Sequence, residues 1–191
     1  KKLMNITAVD DAKDLFLVEN IFPASWLENI QMDLEWQPLE HWPRKMLRTF
    51  TLDKNHPFAK MNAKLQSMEH FWMDFFGEVV MVQEPRIWWD EPNFYMKPHI
   101  DGDVSHVRTS HVNPQAAMQI YLSKAQGQPG TTFYHTDDTE RYDFLYKPNT
   151  GYLMRNHLQQ SHGTKENTTE HKRLSIYVGF QFEIKDLAVV D

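Results

Sequence analysis

The sequence predicts a mainly β domain with supporting α-helices, in which many short strands form a jelly-roll or cupin-like barrel. Two observations favour this fold class. After residue 79, short runs of β-prone residues alternate with turn residues along most of the remaining chain. Before that point, one long segment has the periodicity of a helix. Strands that follow a helical start are typical of a barrel braced by helices.

The chain is predicted to form a single domain over residues 1–191. Its 191 residues are enough for one substantial core, and no internal repeat, low-complexity tract or linker divides them. Within this domain, residues 1–78 are expected to be mostly helical support. Residues 79–183 are expected to form the barrel core.

Composition excludes several classes of function. The net charge of -6 argues against a nucleic-acid binder with a mainly basic surface. There are 0 cysteines, so disulfides, iron–sulfur clusters and thiolate metal sites are excluded. No apolar stretch approaches the ~20 residues that span a bilayer. We therefore expect a cytoplasmic protein without a nucleic-acid or membrane partner, and its oligomeric state stays open.

Two segments of the first third carry signals for helices. Ser25 begins a Ser-Trp-Leu-Glu run that has the spacing of a capping box and predicts a helix start. Over residues 56–76, apolar side chains recur at steps of three and four and predict a longer helix. Pro57 suits the first turn of this helix and Gly77 suits its end. Its aromatic residues are interpreted as core packing.

Several short runs are predicted as strands. The last is the clearest, because residues 174–182 alternate apolar and polar side chains with a period of two. The same alternation places Arg173, Ser175 and Tyr177 on one face. The other predicted strands are Val79–Val82, Arg86–Trp89, Phe94–Ile100, Ala117–Leu122, Thr131–Tyr134 and Gly151–Met154. Two long polar loops, which are often functional, are predicted over residues 102–116 and 135–149.

A candidate metal site combines residues that are far apart in the sequence. His99 and Asp101 are two positions apart at the end of a predicted strand, so both side chains point to the same face. His162 would supply a second imidazole. Two imidazoles and one carboxylate on one face of an octahedral ion leave three positions open, as in non-haem Fe(II) oxygenases. On the sequence alone, His157 is a rival for the distal ligand and His171 is a weaker one.

Six segments carry a resemblance to a known family. They are Lys97–Asp101, Gln119–Leu122, Gly130–Phe133, Pro148–Gly151, Ser161–Gly163 and Lys172–Ser175. At these segments the chain resembles the 2-oxoglutarate and Fe(II)-dependent dioxygenases, in particular their prolyl-4-hydroxylase-like branch. Each segment alone is a weak signal, whereas the spaced series is specific.

The resemblance implies a distorted double-stranded β-helix that binds Fe(II), uses 2-oxoglutarate as cosubstrate and consumes O2. The implied metal ligands are His99, Asp101 and His162. Arg173 would form a salt bridge to the distal carboxylate of 2-oxoglutarate, because a guanidinium is a planar, charged fork that matches a carboxylate. Ser175 or Tyr121 would add a hydrogen bond. The implied reaction hydroxylates a C–H bond and releases succinate and CO2.

Three positions bear on how far the resemblance extends. Many relatives have a Tyr where this chain has Trp89, and Trp cannot accept a hydrogen bond, so Tyr121 is the alternative second anchor. Many prolyl hydroxylases use Lys where this chain has Arg173, so collagen-type specificity does not follow. Asp101 stands where related halogenases have Ala or Gly, which favours hydroxylation.

The substrate and two other classes of function stay open at this point. The substrate is expected to be a small molecule or a peptide, with a prolyl residue favoured by analogy. Aromatic residues before the first metal-binding strand either wall a substrate groove or pack in the barrel wall. These are Trp88, Trp89, Phe94 and Tyr95. The alternatives are a cupin-like metal-binding protein without 2-oxoglutarate and a non-catalytic jelly-roll binding module.

The segment after the first two candidate ligands is interpreted as a lid. It runs from Asp103 to Asn113 and contains His106, Arg108 and His111, which would meet a polar or acidic substrate.

Overall fold

A computed structural model of the chain describes residues 3–101, 116–123, 128–155, 159–166 and 170–182. Its helices are α1 (Ser25–Glu28), α2 (Pro57–Ser67) and α3 (Glu69–Phe76), with a short 3-10 helix at Thr49–Thr51. Its first strands are β1 (Asn5–Ala8), β2 (Leu15–Glu19), β3 (Gln37–Pro38), β4 (Arg44–Arg48), β5 (Val80–Val82) and β6 (Arg86–Asp90). The later strands are β7 (Met96–Ile100), β8 (Ala116–Tyr121), β9 (Pro129–Tyr134), β10 (Glu140–Leu145), β11 (Thr150–Arg155), β12 (Ser161–Thr164) and β13 (Arg173–Phe182).

The strands form two sheets. Among the described residues, the larger sheet is nine-stranded with the order β1-β2-β11-β8-β13-β6-β4-β3, and β5 pairs with β13. The smaller sheet is four-stranded with the order β10-β9-β12-β7. The pairings are antiparallel. Every strand predicted from residue 79 onward is present, and the predicted mainly β jelly-roll fold class is confirmed.

The larger sheet buries both of its faces. On one face, Leu174, Ile176 and Val178 of β13 belong to an apolar cluster that includes the helical residues Met61 and Trp72. The opposite face belongs to a second cluster, in which β8, β11 and the smaller sheet meet. The helices therefore cover the outer face, and the space between the two sheets lies on the inner face.

The prediction that residues 1–78 are mostly helical support is wrong for the residues before Thr49. Four strands, β1 to β4, lie there, and α1 has only 4 residues. Two of these strands, β1 and β3, end the larger sheet. Edge strands bury little on either side, so they lack the apolar alternation by which sequence reasoning finds strands. The extent of the domain, residues 1–191, stays a prediction.

The helix predicted over residues 56–76 is present as α2 and α3, which meet at Met68. The side chain of His56 accepts a hydrogen bond from the backbone N–H of Phe58 at 3.1 Å and caps the start. Gly77 ends α3 with a φ of 68°, a conformation that costs glycine little. Trp72 packs against Phe180 of β13 with 4.9 Å between ring centroids. The interpretation of these aromatic residues as core packing is confirmed.

The prediction of a loop over residues 135–149 is wrong, because β10 lies within it and pairs with β9. β10 is one of the two edge strands of the smaller sheet. Its exposed residues Glu140, Asp143 and Leu145 interrupt the apolar alternation by which a strand is recognised in the sequence. The other predicted loop, over residues 102–116, lies outside the described residues except for Ala116, which begins β8. The predicted lid, with His106, Arg108 and His111, also lies outside them. Among the helices that the structure describes, none is long and apolar enough to cross a membrane.

Candidate active site

The smaller sheet brings the three candidate metal ligands together. His99 lies near the end of β7, Asp101 follows that strand, and His162 lies in β12. The strands β7 and β12 are neighbours, and His99 and His162 are directly paired in register. One ligand atom from each of the three residues lies within 4.8 Å of the others. The site is therefore a consequence of strand pairing, which joins two histidines that the sequence keeps far apart.

The three candidate ligand atoms face one another, and each imidazole directs Nε2 into the cluster and Nδ1 towards a backbone carbonyl. Asp101 Oδ1 lies 3.1 Å from His99 Nε2 and 3.5 Å from His162 Nε2. On the other side of each ring, His99 Nδ1 lies 2.9 Å from the carbonyl of Lys97, and His162 Nδ1 lies 3.0 Å from that of Gln160. A neutral imidazole whose Nδ1–H donates to a carbonyl presents a lone pair on Nε2, which is the atom that can bind a metal ion.

The structure describes one of the two rival histidines, His171, and that residue is not part of this cluster. Among the described residues, the group that could hold a metal contains His162. His171 is exposed and is not a member of that group. His157 lies outside the described residues. The ring of His162 is buried and stacks against Phe133 at 5.2 Å between centroids, which fixes its plane.

Burial and charge set the protonation of the three ligands. Burial alone would raise the pKa of Asp101, but the hydrogen bond from His99 and the nearby His162 outweigh it and lower that pKa to about 2. The hydrogen bond to Asp101 raises the pKa of His99, while its partial burial and the charge of Arg44 act in the opposite direction. Burial lowers the pKa of His162. At neutral pH, Asp101 is a carboxylate and His162 is neutral.

These pKa shifts predict how metal affinity depends on pH. Each imidazole must lose its proton before it binds a metal ion. Because the pKa of His99 is raised above its ordinary value of 6.5 and that of His162 is lowered, we expect affinity to fall as the pH drops through the pKa of His99. Asp101 stays ionised throughout this window. Calorimetric titration with Ni²⁺ between about pH 6 and pH 8 measures the effect, and an affinity that is constant over this range contradicts it.

A glycine next to His162 allows β12 and β7 to approach closely. Gly163 lies at a register shift between these strands, and a Cβ there would lie 2.6 Å from the carbonyl oxygen of Met96. We expect Gly163→Ala to lower the free energy of unfolding by about 1–3 kcal/mol. It should also weaken Ni²⁺ binding, because the two histidines would move apart. Urea unfolding and metal titration measure the two effects, with Ser161→Ala as the matched control. If both variants behave like the wild type, the close approach does not hold the site.

The carboxylate of Asp101 is also held from the larger sheet. The hydroxyl of Tyr177 donates a hydrogen bond to Asp101 Oδ2 at 3.1 Å. Burial raises the pKa of Tyr177 well above its ordinary range, so the phenol stays a donor. This contact leaves Oδ1 directed at Nε2 of the two histidines. Sequence analysis placed Tyr177 on the same face as Arg173 and Ser175 but gave it no role, because only the facing sheet reveals what that face contacts.

Arg173 lies on the inner face of the larger sheet with an incomplete set of partners. Its side chain is 1 % exposed. One terminal nitrogen donates to the carbonyl of Pro129 at 2.6 Å, and the other lies 3.4 Å from Asp90 Oδ2. Its Nε is buried without a hydrogen-bond partner among the described residues. Buried donors are nearly always paired, so this guanidinium is suited to an additional acceptor such as a carboxylate.

A second arginine shares the carboxylate that faces Arg173. Arg44 bonds to both oxygens of Asp90, at 2.5 Å and 3.1 Å, and its guanidinium stacks 4.3 Å from the rings of Trp88 and Phe94. Two guanidiniums and one carboxylate leave one positive charge in this partly buried cluster, which favours an anionic ligand. Sequence analysis missed Arg44 and Asp90. Their register with Arg173 depends on the pairing of β4, β6 and β13, for which the sequence gives no signal.

Ser175 and Tyr121, the two candidates for a second anchor of 2-oxoglutarate, differ in whether their hydroxyl protons already have an acceptor. Ser175 and Tyr121 are cross-strand partners. The hydroxyl of Tyr121 donates to Thr131 Oγ1 at 3.0 Å, and burial raises its pKa to about 12. Ser175 Oγ accepts a hydrogen bond from Gln119 at 2.8 Å, and its proton has no acceptor among the described residues. Ser175 is therefore the better placed to donate to a ligand.

A buried amide connects these groups, and sequence analysis missed it. Gln119 donates to Ser175 and accepts from the hydroxyl of Tyr152 at 2.9 Å. It is also within 3.4 Å of Thr131 Oγ1. Its position two residues before Tyr121 was the available signal, since that spacing puts both side chains on one face of β8.

The aromatic residues before β7 divide between the two faces of the larger sheet. Trp89 lies on the outer face and packs against Trp36 at 5.0 Å, so it cannot replace the Tyr of the family pattern. Trp88 lies on the inner face beside Arg44. Phe94 is buried and Tyr95 is exposed. Core packing is therefore the correct interpretation for Trp89 and Phe94.

Comparisons with known proteins find the fold but no sequence relative. No protein-family model matches the chain, and no curated protein matches it by sequence. Among solved structures, a Pseudomonas putida prolyl-4-hydroxylase matches with a TM-score of 0.64 and 13% identity over 90% of this chain and 94% of that chain. HygX from Streptomyces hygroscopicus, with nickel and 2-oxoglutarate bound, matches at 0.64 and 14% over 90% and 84%.

A third solved structure matches with a slightly higher TM-score. A prolyl hydroxylase from Trichoplax adhaerens, in complex with a hypoxia inducible factor peptide, matches at 0.68 and 9% identity over 88% of this chain and 84% of that chain. At these identities, the likeness shows that the chain has the jelly-roll fold of the 2-oxoglutarate and Fe(II) oxygenases.

Proposed function

We propose that this protein is an oxygenase that uses Fe(II), 2-oxoglutarate and O2 to hydroxylate a C–H bond of its substrate. One oxygen atom of O2 would enter the substrate, and the other would enter succinate as CO2 is released. The observation that carries this proposal is the convergence of His99, Asp101 and His162, combined with the incompletely paired guanidinium of Arg173 on the face of β13 from which Tyr177 contacts Asp101.

The residues present fit a bound Fe(II) ion. His99 Nε2, Asp101 Oδ1 and His162 Nε2 would occupy one face of the ion, as in the two-histidine, one-carboxylate sites of non-haem iron enzymes. The ion would supply the activation of O2. The chain itself orients the ligands, because backbone carbonyls hold both Nδ1 atoms and Tyr177 holds the second oxygen of Asp101. A structural neighbour with nickel and 2-oxoglutarate bound supports this assignment.

The residues of the larger sheet fit 2-oxoglutarate. Arg173 would bind the distal carboxylate, with the hydroxyl of Ser175 as a second donor. Tyr177, which contacts the metal ligand Asp101, lies four residues beyond Arg173 on the same face of β13. That separation is about 13 Å along an extended strand, and a five-carbon diacid together with the side chains at each end would span it.

This geometry favours the proposed reaction over the two alternatives. A cupin-like metalloprotein without 2-oxoglutarate would not need a buried arginine on the same face as Tyr177. A non-catalytic binding module would not need three ligand atoms that face one another. The substrate is proposed to be a prolyl residue, either in a peptide or free, because two of the structural neighbours are prolyl hydroxylases.

The proposal is tested by anaerobic titration of the protein with Fe(II) and then 2-oxoglutarate. Chelation of the metal by the keto acid gives a weak visible charge-transfer band in oxygenases of this kind, and we expect that band to appear. A succinate-formation screen across prolyl peptides, free amino acids and small acids then identifies the substrate. A correctly folded protein that binds Fe(II) but gives no band with 2-oxoglutarate would favour the cupin-like alternative.

The contact between Tyr177 and Asp101 provides an independent prediction. Tyr177→Phe removes the donor to Asp101 Oδ2 and keeps the ring, so we expect metal affinity to fall by about 10- to 100-fold. Ni²⁺ titration of the two proteins measures this change without any need for activity. Tyr142→Phe is the matched control, because it removes a hydroxyl from a half-buried ring on β10, two strands away from β12, that has no hydrogen bond to the candidate ligands. Equal affinity in wild type and Tyr177→Phe would show that the hydrogen bond does not orient the ligand.

A further inference from the structure

Two arginines lie side by side on the inner face of the larger sheet. Arg48 of β4 and Arg86 of β6 are directly paired in register, and Arg86 is in turn paired with Tyr177 of β13. Side chains that lie opposite each other in an antiparallel sheet project from the same face. Both guanidiniums therefore extend from the face on which Tyr177 contacts Asp101.

This pair is electrostatically unfavourable as it stands. Like charges directly opposite each other destabilise a sheet, and neither Arg48 nor Arg86 forms a hydrogen bond or an ion pair through its guanidinium with any described residue. Partial burial, and then the charge of Arg48, lower the pKa of Arg86. Glu84 is the nearby acid, but its Oε1 already accepts hydrogen bonds from the hydroxyl of Thr49 and the backbone of Phe50. Among the described residues, no anion bridges the two arginines.

The pair is separate from the proposed cosubstrate site. On this face, the cross-strand pair Met46 and Trp88 lies between Arg48 and Arg86 at one end and Arg44 at the other. Arg173 lies in register with Asp90 at the far end. A ligand carboxylate at Arg173 therefore does not contact the arginine pair, and an apolar floor separates the two basic regions.

The same face is directed towards the metal ligands. Tyr177, the register partner of Arg86, donates to Asp101 directly after β7, so the end of β7 faces this part of the larger sheet. β7 is one of the two edge strands of the smaller sheet, whereas the larger sheet continues from β6 to β4 and β3. On this face, Met46 and Trp88 therefore form an apolar floor beside the candidate metal ligands, and the two arginines lie at one end of it.

We propose that Arg48 and Arg86 bind an acidic group of the substrate and hold the rest of it over the floor of Met46 and Trp88 beside the metal. This inference rests on the proposed function and deepens it by naming the substrate as an organic anion. Two adjacent guanidiniums offer the planar donor pairs that carboxylates and phosphates share as ligands. The prolyl substrate proposed above would then carry a free carboxylate or a neighbouring acidic group.

The first test measures anion binding without metal or 2-oxoglutarate, so that it does not depend on the proposed reaction. The full chain, stripped of metal with EDTA and dialysed, is titrated calorimetrically with pyrophosphate and, separately, with citrate at low ionic strength. We expect Arg48→Gln/Arg86→Gln to bind the preferred anion at least about tenfold more weakly than wild type. The stronger of the two probes shows whether phosphate or carboxylate chemistry is preferred.

The control removes the same charge from the opposite side of the larger sheet. Lys60→Gln/Lys64→Gln alters α2, which packs on the outer face, and should leave anion affinity within about twofold of wild type. The arginine variant should be at least as stable as wild type to heat, because it relieves a like-charge contact. Absence of binding to the wild type, or equal binding by both double variants, overturns the proposal.

The second test separates this inference from the proposed function. Candidate substrates are compared as matched acids and amides in the succinate-formation assay. We expect wild type to prefer the acid of each pair and Arg48→Gln/Arg86→Gln to lose that preference through KM. If succinate forms and wild type shows no preference for the acid, only the arginine subsite is wrong. If the charge-transfer band and succinate never form while the arginines still determine anion binding, only the proposed reaction is wrong.

Discussion

His162→Ala is expected to abolish the charge-transfer band of the Fe(II) and 2-oxoglutarate complex and to weaken Ni²⁺ binding by more than about 100-fold. The variant removes one of two imidazoles, and no side chain of the described residues next to it replaces Nε2. The remaining candidate ligands, His99 and Asp101, both lie at the end of β7. The coordination position that His162 would occupy is then left without a protein ligand. Anaerobic absorbance and calorimetric metal titration give the two readouts.

The controls for this prediction separate loss of a ligand from loss of folding. His162 is buried against Phe133, so its removal leaves a small cavity. His99→Ala removes a half-exposed ring at little cost in packing and should abolish the band equally. His157→Ala and His171→Ala, which alter the two rival histidines, should keep it. Retention of the band in His162→Ala, together with its loss in His157→Ala, would assign the distal ligand to His157.

Some residues of the candidate site could be predicted from their immediate sequence neighbours, and others could not. His99 and Asp101 were found because strand periodicity puts residues two apart on one face, and the same rule placed Arg173, Ser175 and Tyr177 together. The choice of His162 over its rivals was not local, since it depends on the register between β12 and β7. The sequence shows which residues carry imidazoles, whereas the pairing of strands determines which two imidazoles lie close together.

Residues supplied by strands that are distant in sequence were missed for the same reason. Arg44 and Arg48 come from β4, which sequence analysis assigned to helical support. Their inner-face positions alternate with outer-face residues in a strand that reads Arg-Lys-Met-Leu-Arg, and this run has no apolar period to signal a sheet. β10 was missed because its polar, exposed side chains resemble a loop. Polar strands at the edge of a sheet, or next to the edge as β4 is, are therefore where function and prediction diverge in this chain.

Arg173→Ala is expected to raise the dissociation constant of 2-oxoglutarate by roughly 30-fold to several thousand-fold while leaving Ni²⁺ affinity within a few-fold of wild type. Loss of one partner of a buried, hydrogen-bonded charge pair costs about 2–5 kcal/mol, which sets this range. The fold should survive, because Arg44 still bonds to both oxygens of Asp90 and leaves no carboxylate unpaired. Titration of the charge-transfer band with 2-oxoglutarate measures the affinity.

The conservative variant Arg173→Lys identifies what the guanidinium contributes. Lysine keeps the charge but lacks the planar fork, so we expect an affinity between those of Arg173→Ala and wild type. Ser175→Ala, which removes the second proposed donor, should have a smaller effect of about 1 kcal/mol. Since Tyr121 already donates to Thr131, Tyr121→Phe should change 2-oxoglutarate affinity less than Ser175→Ala does. A larger loss of 2-oxoglutarate affinity in Tyr121→Phe than in Ser175→Ala would make Tyr121 the second anchor. If Arg173→Ala lost affinity for the metal and for 2-oxoglutarate to the same extent, Arg173 would support the fold rather than bind the ligand.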